Sequence, residues 1–460
     1  MAHEKRNKNW MVRIGNLVEE SIAKGIYELG QEAPVLSLAP DASAQRYTVV
    51  GSAAQHTDAP VSSAQHTGAP VSAAQHPDAP GAIAYHSTVT GSTAQHTGAP
   101  AFVTPEEKVW YRVPIPEGRC GDGSEYHIYI RKGCSDKLCV FFSGGGIAIN
   151  KYMAARPVNG GSVAAWLPNY YWNNLRLFTQ VMNIGVGITR NGADNPFDDW
   201  NFIVITYATG DMHVGDSKFL YRVSRDSVPE GKKPGDKAVL YFHGYQNFLA
   251  AMRTGKSLFP SASKLLIAGE SAGAFAVPAL AEQIVGEFYP SCRDVTLFSD
   301  SAQLLYKGWK RTLRDVWNAR RELWMGANSR NITVDWYRGV CTRQGSRFRY
   351  LYSGSVRDYL LSAFYNDVTN KIYGTDSEIQ EEYYRQMKRM IADLRRLSPE
   401  FSFFIHDWHR PLSMYKGGTI HTAVRQPEFT LRTQDDVTMA YWLSECVEGN
   451  MFDVGMQLLV

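Results

Sequence analysis

The chain contains 460 residues, and its 48 basic and 45 acidic residues leave a formal net charge of +3. This balance gives no reason to expect the basic face that nucleic-acid binding requires. Hydrophobic residues make up 44% of the chain and charged residues 20%, which predicts a folded protein. No apolar run reaches the ~18 residues that a membrane-spanning helix needs. The six cysteines form no Cys-x-x-Cys pair, so neither a disulfide scaffold nor a thiolate zinc site is predicted.

The first segment, residues 1–45, contains a helical pattern. Apolar residues recur at steps of three and four over residues 10–29, which predicts an amphipathic helix docked on the domain or on a partner chain. Residues 1–9 are charged and lead into no apolar run with a small-residue cleavage site. We therefore predict no signal peptide and expect a cytoplasmic protein.

The second segment, residues 46–103, carries a decapeptide repeat over residues 51–100. Histidine recurs there every ten residues, at His56, His66, His76, His86 and His96. Small and polar residues such as Ala, Ser, Gly and Thr bury too little surface to offset the entropy of ordering. We therefore predict a disordered linker. Loose metal binding by the histidines is a weaker alternative, because a flexible ten-residue spacing presents no preformed site.

Residues 104–460 have the pattern of an α/β domain. Short apolar runs rich in β-branched and aromatic residues predict strands at Leu138–Phe142, Phe202–Tyr207, Ala238–Phe242, Leu265–Ala268, Val295–Phe298, Phe348–Tyr352 and Phe401–His406. Helical patterns lie between them. The clearest spans residues 377–397 and begins after a capping-box pattern from Thr375 to Glu378. This alternation predicts a mostly parallel sheet with helices on both faces.

The sharpest chemical signal is the sequence Gly269-Glu270-Ser271-Ala272-Gly273. It follows a predicted strand and precedes a helix-compatible run, which is the context that a Gly-x-Ser-x-Gly nucleophile turn requires. Glycines at both ends allow so tight a turn, because a Cβ there would clash. The turn would hold Ser271 above the sheet edge and direct the Ala272 N–H towards a developing oxyanion.

A second signal is the glycine run Ser143-Gly144-Gly145-Gly146, directly after the first predicted strand. Such a run lets backbone N–H groups approach a substrate oxygen, so we predict that Gly145 and Gly146 form an oxyanion hole together with Ala272. A phosphate-binding P-loop would need a Gly-Lys-Ser/Thr sequence, which does not follow here.

A nucleophilic serine needs a histidine base. In folds that place the serine on a Gly-x-Ser-x-Gly turn, this histidine comes after the serine in the chain. His406 ends an apolar strand and is interpreted as structural. His409 and His421 both lie in loops after that strand, and their spacing alone does not separate them.

The acid that orients the histidine usually follows a strand later than the one directly after the nucleophile helix. This favours Asp358, which lies past the strand Phe348–Tyr352, over Asp300. Asp367 and Asp407 remain alternatives at this point. All of these carboxylates could instead serve as caps and turns.

Several blocks, in order along residues 110–445, resemble the pectin acetylesterase family, which includes Notum-type carboxylesterases. They are Cys120–Ser124, Phe141–Gly146, Asn195–Asn201, Tyr207–Asp216, His243–Asn247 and Gly269–Gly273. The resemblance implies an α/β-hydrolase fold with Ser271 as nucleophile and Asp358 as acid. It also implies that His421, in a Thr-Ile-His-Thr block, is the base.

We therefore predict an α/β-hydrolase-like serine esterase that deacetylates carbohydrate or related small acyl esters. The alternatives are a fatty-acyl ester or thioester hydrolase and a non-catalytic binding protein on the same fold. No metal or cofactor is implied. Asp211, His213 and Asp216 resemble a metal cluster, but in this family block they are interpreted as part of the site wall. The sequence predicts no nucleic-acid partner and sets no oligomeric state.

Overall fold

The structure, a computed structural model, describes most of the chain beyond residue 104 and two short stretches before it. The described residues are 33–38, 47–50, 105–158, 167–175, 183–229, 231–410, 416–433 and 435–460. The helix predicted over residues 10–29 and the repeat over residues 51–100 lie outside these ranges.

One large sheet and one hairpin contain the strands of the described residues. These strands are β1 Val35–Leu38, β2 Tyr47–Val50, β3 Trp110–Ile115, β4 Tyr126–Arg131, β5 Leu138–Phe142, β6 Asn201–Ile205, β7 Ser217–Arg222, β8 Lys237–Phe242, β9 Lys264–Glu270, β10 Asp294–Asp300, β11 Phe348–Ser355 and β12 Ser402–His406. The large sheet has the order β12-β11-β10-β9-β5-β6-β4-β3-β1-β2. Neighbours from β12 to β6 are parallel, whereas β4 pairs antiparallel with β6 and β3. Strands β7 and β8 form the antiparallel hairpin.

Helices connect the parallel strands, as βαβ crossovers require. The α-helices of the described residues are α1 Lys151–Ala154, α2 Gly244–Leu258, α3 Ala272–Gln283, α4 Trp309–Arg311, α5 Arg321–Gly326, α6 Ile332–Gln344, α7 Tyr359–Asn370, α8 Ser377–Leu397 and α9 Met439–Glu448. No helix in the described ranges is long and apolar enough to cross a membrane.

Strand β5 shows why the central strands are continuously apolar. All five of its residues are buried. Leu138, Val140 and Phe142 belong to one hydrophobic core, whereas Cys139 and Phe141 belong to the core on the opposite face. Successive side chains of a strand point to opposite faces, so a strand covered on both sides must be apolar at every position. The prediction of a mostly parallel sheet with helices is confirmed.

The carboxyl ends of the parallel strands meet at one edge of the sheet. Phe142 of β5 lies in register with Gly269 of β9, and Glu270 of β9 lies in register with Asp300 of β10. Strand β6 lies on one side of β5, whereas the later strand β9 lies on the other side. The direction in which the chain adds strands to the sheet therefore reverses at β5. Such a reversal opens a crevice at the carboxyl edge, which is where ligands bind in open α/β sheets.

The structure differs from the sequence predictions in two places. Strands β1 and β2 precede residue 104, where the predicted hydrolase domain begins, and extend its sheet. Helix α8 has the predicted bounds, but its N-cap is Asp376, whose side chain accepts a hydrogen bond from Ile379 N. The predicted capping box from Thr375 is therefore wrong. The Thr375 hydroxyl instead contacts the Ser362 hydroxyl at 2.7 Å.

Candidate active site

Ser271 lies on a strained turn between β9 and α3. Its φ of 51° and ψ of −125° are unusual for a residue with a side chain. A Cβ on Gly269 would lie 2.4 Å from the Gly273 carbonyl oxygen, and one on Gly273 would lie 2.1 Å from the Phe142 carbonyl oxygen. Both glycines are therefore required, the first by the turn itself and the second by the approach of β5. The Ser271 N–H donates to the Asp300 carbonyl at 2.9 Å, which ties the turn to β10.

The glycine run after β5 packs directly against this serine. A Cβ on Gly144 would lie 2.7 Å from the Ser271 Cβ and 3.3 Å from its Oγ. Gly146 has a φ of 77°, and a Cβ there would lie 1.9 Å from the Tyr170 carbonyl oxygen. Within the described ranges, the N–H groups of Gly145, Gly146 and Ala272 donate to no protein acceptor. They are therefore available to bind an oxygen atom of a ligand.

The structure brings together Asp358, which follows β11, and His421, which lies in the loop of residues 416–425, called the histidine loop below. His421 Nδ1 lies 2.6 Å from Asp358 Oδ2. The other carboxylate oxygen of Asp358 accepts hydrogen bonds from Leu360 N at 3.0 Å and Leu361 N at 2.9 Å, so Asp358 caps helix α7. Because Asp358 is buried and its oxygens are directed by these bonds, it fixes the orientation of the imidazole ring. His421 Nε2 has no hydrogen-bond partner among the described residues.

The electrostatic surroundings of His421 favour its protonated form. Burial by itself lowers the pKa of His421, but the charge and hydrogen bond of Asp358 outweigh it. The charges of Asp300 and Glu270 act in the same direction as Asp358, so the pKa of His421 is raised above its usual value. An imidazole in this setting can accept a proton and hold it as a stabilised imidazolium.

Asp300 supports the histidine loop from below. Its Oδ2 accepts hydrogen bonds from Ala423 N at 2.7 Å and Val424 N at 2.9 Å, two and three positions after His421. Its Oδ1 accepts a bond from the Ser353 hydroxyl at 2.7 Å. Burial raises the pKa of Asp300, although these hydrogen bonds oppose the shift. This carboxylate, weighed above as an alternative acid, therefore holds the loop backbone while Asp358 contacts the imidazole.

Residues 114–307 match the model of the pectinacetylesterase family. The resemblance drawn from the sequence is confirmed over this range. The family is one of carboxylic ester hydrolases, so the match indicates hydrolysis of a carboxylic ester. No curated protein matches the chain.

The matched range contains the glycine run and the nucleophile turn. It ends before β11, so Asp358 and His421 lie outside it. The assignment of an acid and a base in this pectinacetylesterase-like chain therefore depends on the geometry described above and on the residues of the histidine loop.

The block Tyr207–Asp216, which follows β6, also contacts the segment of the glycine run. His213 Nε2 donates to the Ser143 carbonyl at 2.9 Å, and His213 is fully buried. Asp211 accepts hydrogen bonds from the Thr209 hydroxyl at 2.7 Å and from Gly244 N at 2.9 Å. Burial raises the pKa of Asp211 to about 7.

Asp211, His213 and Asp216, which resemble a metal cluster in the sequence, each bond to other groups of the protein. Asp216 accepts a hydrogen bond from the Gln246 side chain at 2.9 Å, whereas Asp211 and His213 bond to the groups named above. In the described part of the chain, no group of three His, Cys, Asp or Glu side chains is arranged to hold a metal ion. All six cysteines are described, and none is in a disulfide.

The remaining histidines and aspartates considered as base or acid lie away from the contact between His421 and Asp358. His409 and Asp407 are exposed beyond the end of β12. His406 is buried in β12 with its ring centre 4.5 Å from that of Trp408, and burial lowers its pKa to about 3. Asp367 lies in α7, where its charge helps burial to raise the pKa of Tyr170.

Proposed function

We propose that this protein is a serine carboxylic-ester hydrolase that removes acetyl groups from carbohydrate or related small esters. The observation that carries the proposal is the 2.6 Å contact between His421 and the buried Asp358 at the edge of the sheet where Ser271 lies on its strained turn. The chain order serine, aspartate, histidine is that of α/β-hydrolases. The family match over residues 114–307 supports the ester as the bond that is cleaved.

In the proposed reaction, Ser271 Oγ attacks the ester carbonyl carbon while its proton passes to His421 Nε2. The carbonyl oxygen becomes an oxyanion, which the N–H groups of Gly145, Gly146 and Ala272 stabilise by hydrogen bonds. Asp358 stabilises the imidazolium. The intermediate then expels the alcohol, which takes the proton from His421, and leaves an acyl group on Ser271.

The second half of the reaction repeats these steps with water. His421 removes a proton from water as its oxygen attacks the acyl carbon, and the same proton returns to Ser271 Oγ as the carboxylic acid leaves. No group beyond the ester, water and these side chains is needed to balance the reaction. A raised pKa suits His421 to this role, because it must hold the proton between the two steps.

The test combines p-nitrophenyl acetate hydrolysis with labelling by a fluorophosphonate. Wild-type protein should hydrolyse the ester and incorporate one phosphonate at Ser271. Ser271→Ala should abolish labelling and lower kcat by roughly 10⁴-fold or more. Ser346→Ala, at the opposite end of the sheet, is the matched control and should retain both. Labelling of another serine, or a fully active Ser271→Ala, would contradict the proposal.

The acyl group is tested separately with p-nitrophenyl esters of two to sixteen carbons, a range of roughly 10 kcal/mol in transfer free energy. A preference for the acetyl ester supports the proposed substrate, and acetylated oligosaccharides then identify the alcohol. A preference for long chains would instead indicate a fatty-acyl hydrolase. Absence of all turnover would leave the binding-protein alternative.

A further inference from the structure

A buried ion pair lies directly beneath the candidate site. Arg425 Nε donates to Glu270 Oε1 at 3.0 Å, and Arg425 Nη2 donates to the same oxygen. Glu270 is the residue before Ser271, and Arg425 follows His421 by four positions. Both residues are buried. The pair therefore joins the nucleophile turn to the histidine loop.

The same guanidinium reaches the glycine run through one intermediate side chain. Arg425 Nη1 donates to Asn183 Oδ1 at 3.3 Å, and the Ser143 hydroxyl donates to that oxygen at 2.5 Å. Ser143 directly precedes Gly144, which packs on Ser271. All of these polar side chains are buried. One continuous set of hydrogen bonds thus connects the three segments that carry the candidate nucleophile, base and oxyanion donors.

The energetics of this arrangement favour a role in geometry over a role in net stability. Burial removes two charges from water, and their attraction does little more than offset that cost. Glu270 Oε2 is also buried and accepts no hydrogen bond from the described residues, which is unfavourable. A guanidinium, however, holds its donors in a rigid plane, so Arg425 fixes the directions of both partners, Glu270 and Asn183, at once.

We propose that Arg425 and Glu270 are positioning residues that align Ser271, His421 and the glycine run for reaction. Asn183 transmits this alignment to Ser143. The inference rests on the proposed function, because it assigns these residues to the same site. The ion pair acts through the backbone of the nucleophile turn, the histidine loop and the glycine run, and it contacts no reacting atom.

Two variants separate alignment from charge. Arg425→Lys retains the positive charge, but a single ammonium cannot contact Glu270 and Asn183 with a planar fork. Asn183→Leu retains the ion pair and removes only its connection to Ser143. Each should lower kcat for p-nitrophenyl acetate by about 10–100-fold with KM nearly unchanged, because small misplacements of reacting groups cost this much. Active sites are counted by phosphonate titration, so unfolded protein does not contribute.

The matched control is Arg349→Lys. Arg349 pairs with Asp294 at the amino end of the parallel strands, away from the site. The Arg349→Lys variant should retain the kcat of the wild type. If the single variants fail to fold, the double variant Glu270→Gln/Arg425→Met carries the test, because it leaves no unpaired buried charge. It should fold and show the same loss of kcat.

The outcomes distinguish the two proposals. Wild-type kcat per titrated site in Arg425→Lys, Asn183→Leu or the double variant, with a lowered melting temperature, would show that the network is only structural. An inactive wild-type protein would overturn the proposed function and this inference together. An active wild type with unaffected variants would overturn this inference alone.

Discussion

The nucleophile turn and the histidine loop lie at the same edge of the sheet, but they are specified in different ways. The turn of residues 269–273 contains its own requirements, since Gly269 clears the Gly273 carbonyl within five residues. The histidine loop depends on Asp300 and Asp358. Asp300 lies 123 positions before its partner Ala423, and Asp358 lies 63 positions before His421. A backbone constraint can be recognised in a short motif, whereas a hydrogen bond across the fold cannot.

The largest expected effect separates the two histidines of that part of the chain. His421→Ala should lower kcat by roughly 10⁴-fold or more, comparable with Ser271→Ala, because members of a catalytic triad act as a unit. His409→Ala, an exposed control, should retain activity. Asp358→Asn should fall between the two, since the imidazole loses its orienting charge. The measurement is p-nitrophenyl acetate turnover, and a dead His409→Ala with an active His421→Ala would reverse the assignment of the base.

The next effect tests whether the turn is as local as its motif. Gly273→Ala places a methyl group 2.1 Å from the Phe142 carbonyl oxygen. We expect a loss of stability of about 1–3 kcal/mol or more, as for overpacked sites, together with lost activity. Gly286→Ala is the control, because a Cβ there meets nothing within 4 Å. Thermal denaturation measures the stability of both variants. Equal melting temperatures for Gly273→Ala and Gly286→Ala would mean that β5 does not constrain the turn.

A smaller effect is expected from loosening the histidine loop. Asp300→Asn retains one acceptor oxygen but replaces the other with donors that oppose the loop N–H groups. We expect kcat to fall by about 10–100-fold through misplacement of His421. Asp376→Asn, at the N-cap of α8, also changes a carboxylate that accepts a backbone N–H, and it should leave kcat unchanged. Unchanged turnover in Asp300→Asn would show that the loop holds its position without this residue.

The smallest effect is a shift in pH dependence. A base must be neutral to act, so a raised pKa of His421 means that kcat/KM declines on acidification from a higher pH than an ordinary histidine would give. Asp300 is one of the charges that raise this pKa, so Asp300→Asn should move the acidic limb to lower pH. Asp315→Asn, on the surface beside Arg314, should not move it. A limb that shifts upward in Asp300→Asn would contradict the sign.

A buried histidine offers an independent check of the electrostatics. His406 has both ring nitrogens unpartnered among the described residues, and burial lowers its pKa to about 3. It is therefore neutral in the folded protein, whereas in the unfolded chain it binds a proton below a pH of about 6.5. Stability should accordingly fall as the pH drops from that value. His406→Phe should reduce this acid sensitivity in urea titrations, and an unchanged pH dependence would argue against a buried neutral imidazole.

The sequence by itself determined the parts of this protein that depend on neighbouring residues. Continuous apolar runs predicted the buried parallel strands, because a strand such as β5 must satisfy two cores at once. The motif around Ser271 predicted the tight turn because only glycine fits its ends. The helix over residues 377–397 followed from its periodicity, although the neighbouring Asp376 and not Thr375 is its cap.

Only the tertiary structure decided which distant groups meet. Spacing left His409 and His421 equivalent, and several aspartates competed as the acid, so the sequence pointed to His421 and Asp358 through the family resemblance and not through any visible contact. Register across β9, β10 and β11 placed Asp300 under the loop backbone and Asp358 against the imidazole. The connection from Glu270 through Arg425 to Ser143 had no sequence signal, because its members come from separate segments. Side-chain hydrogen bonds act over about 3 Å, so they depend on how strands align and not on chain order.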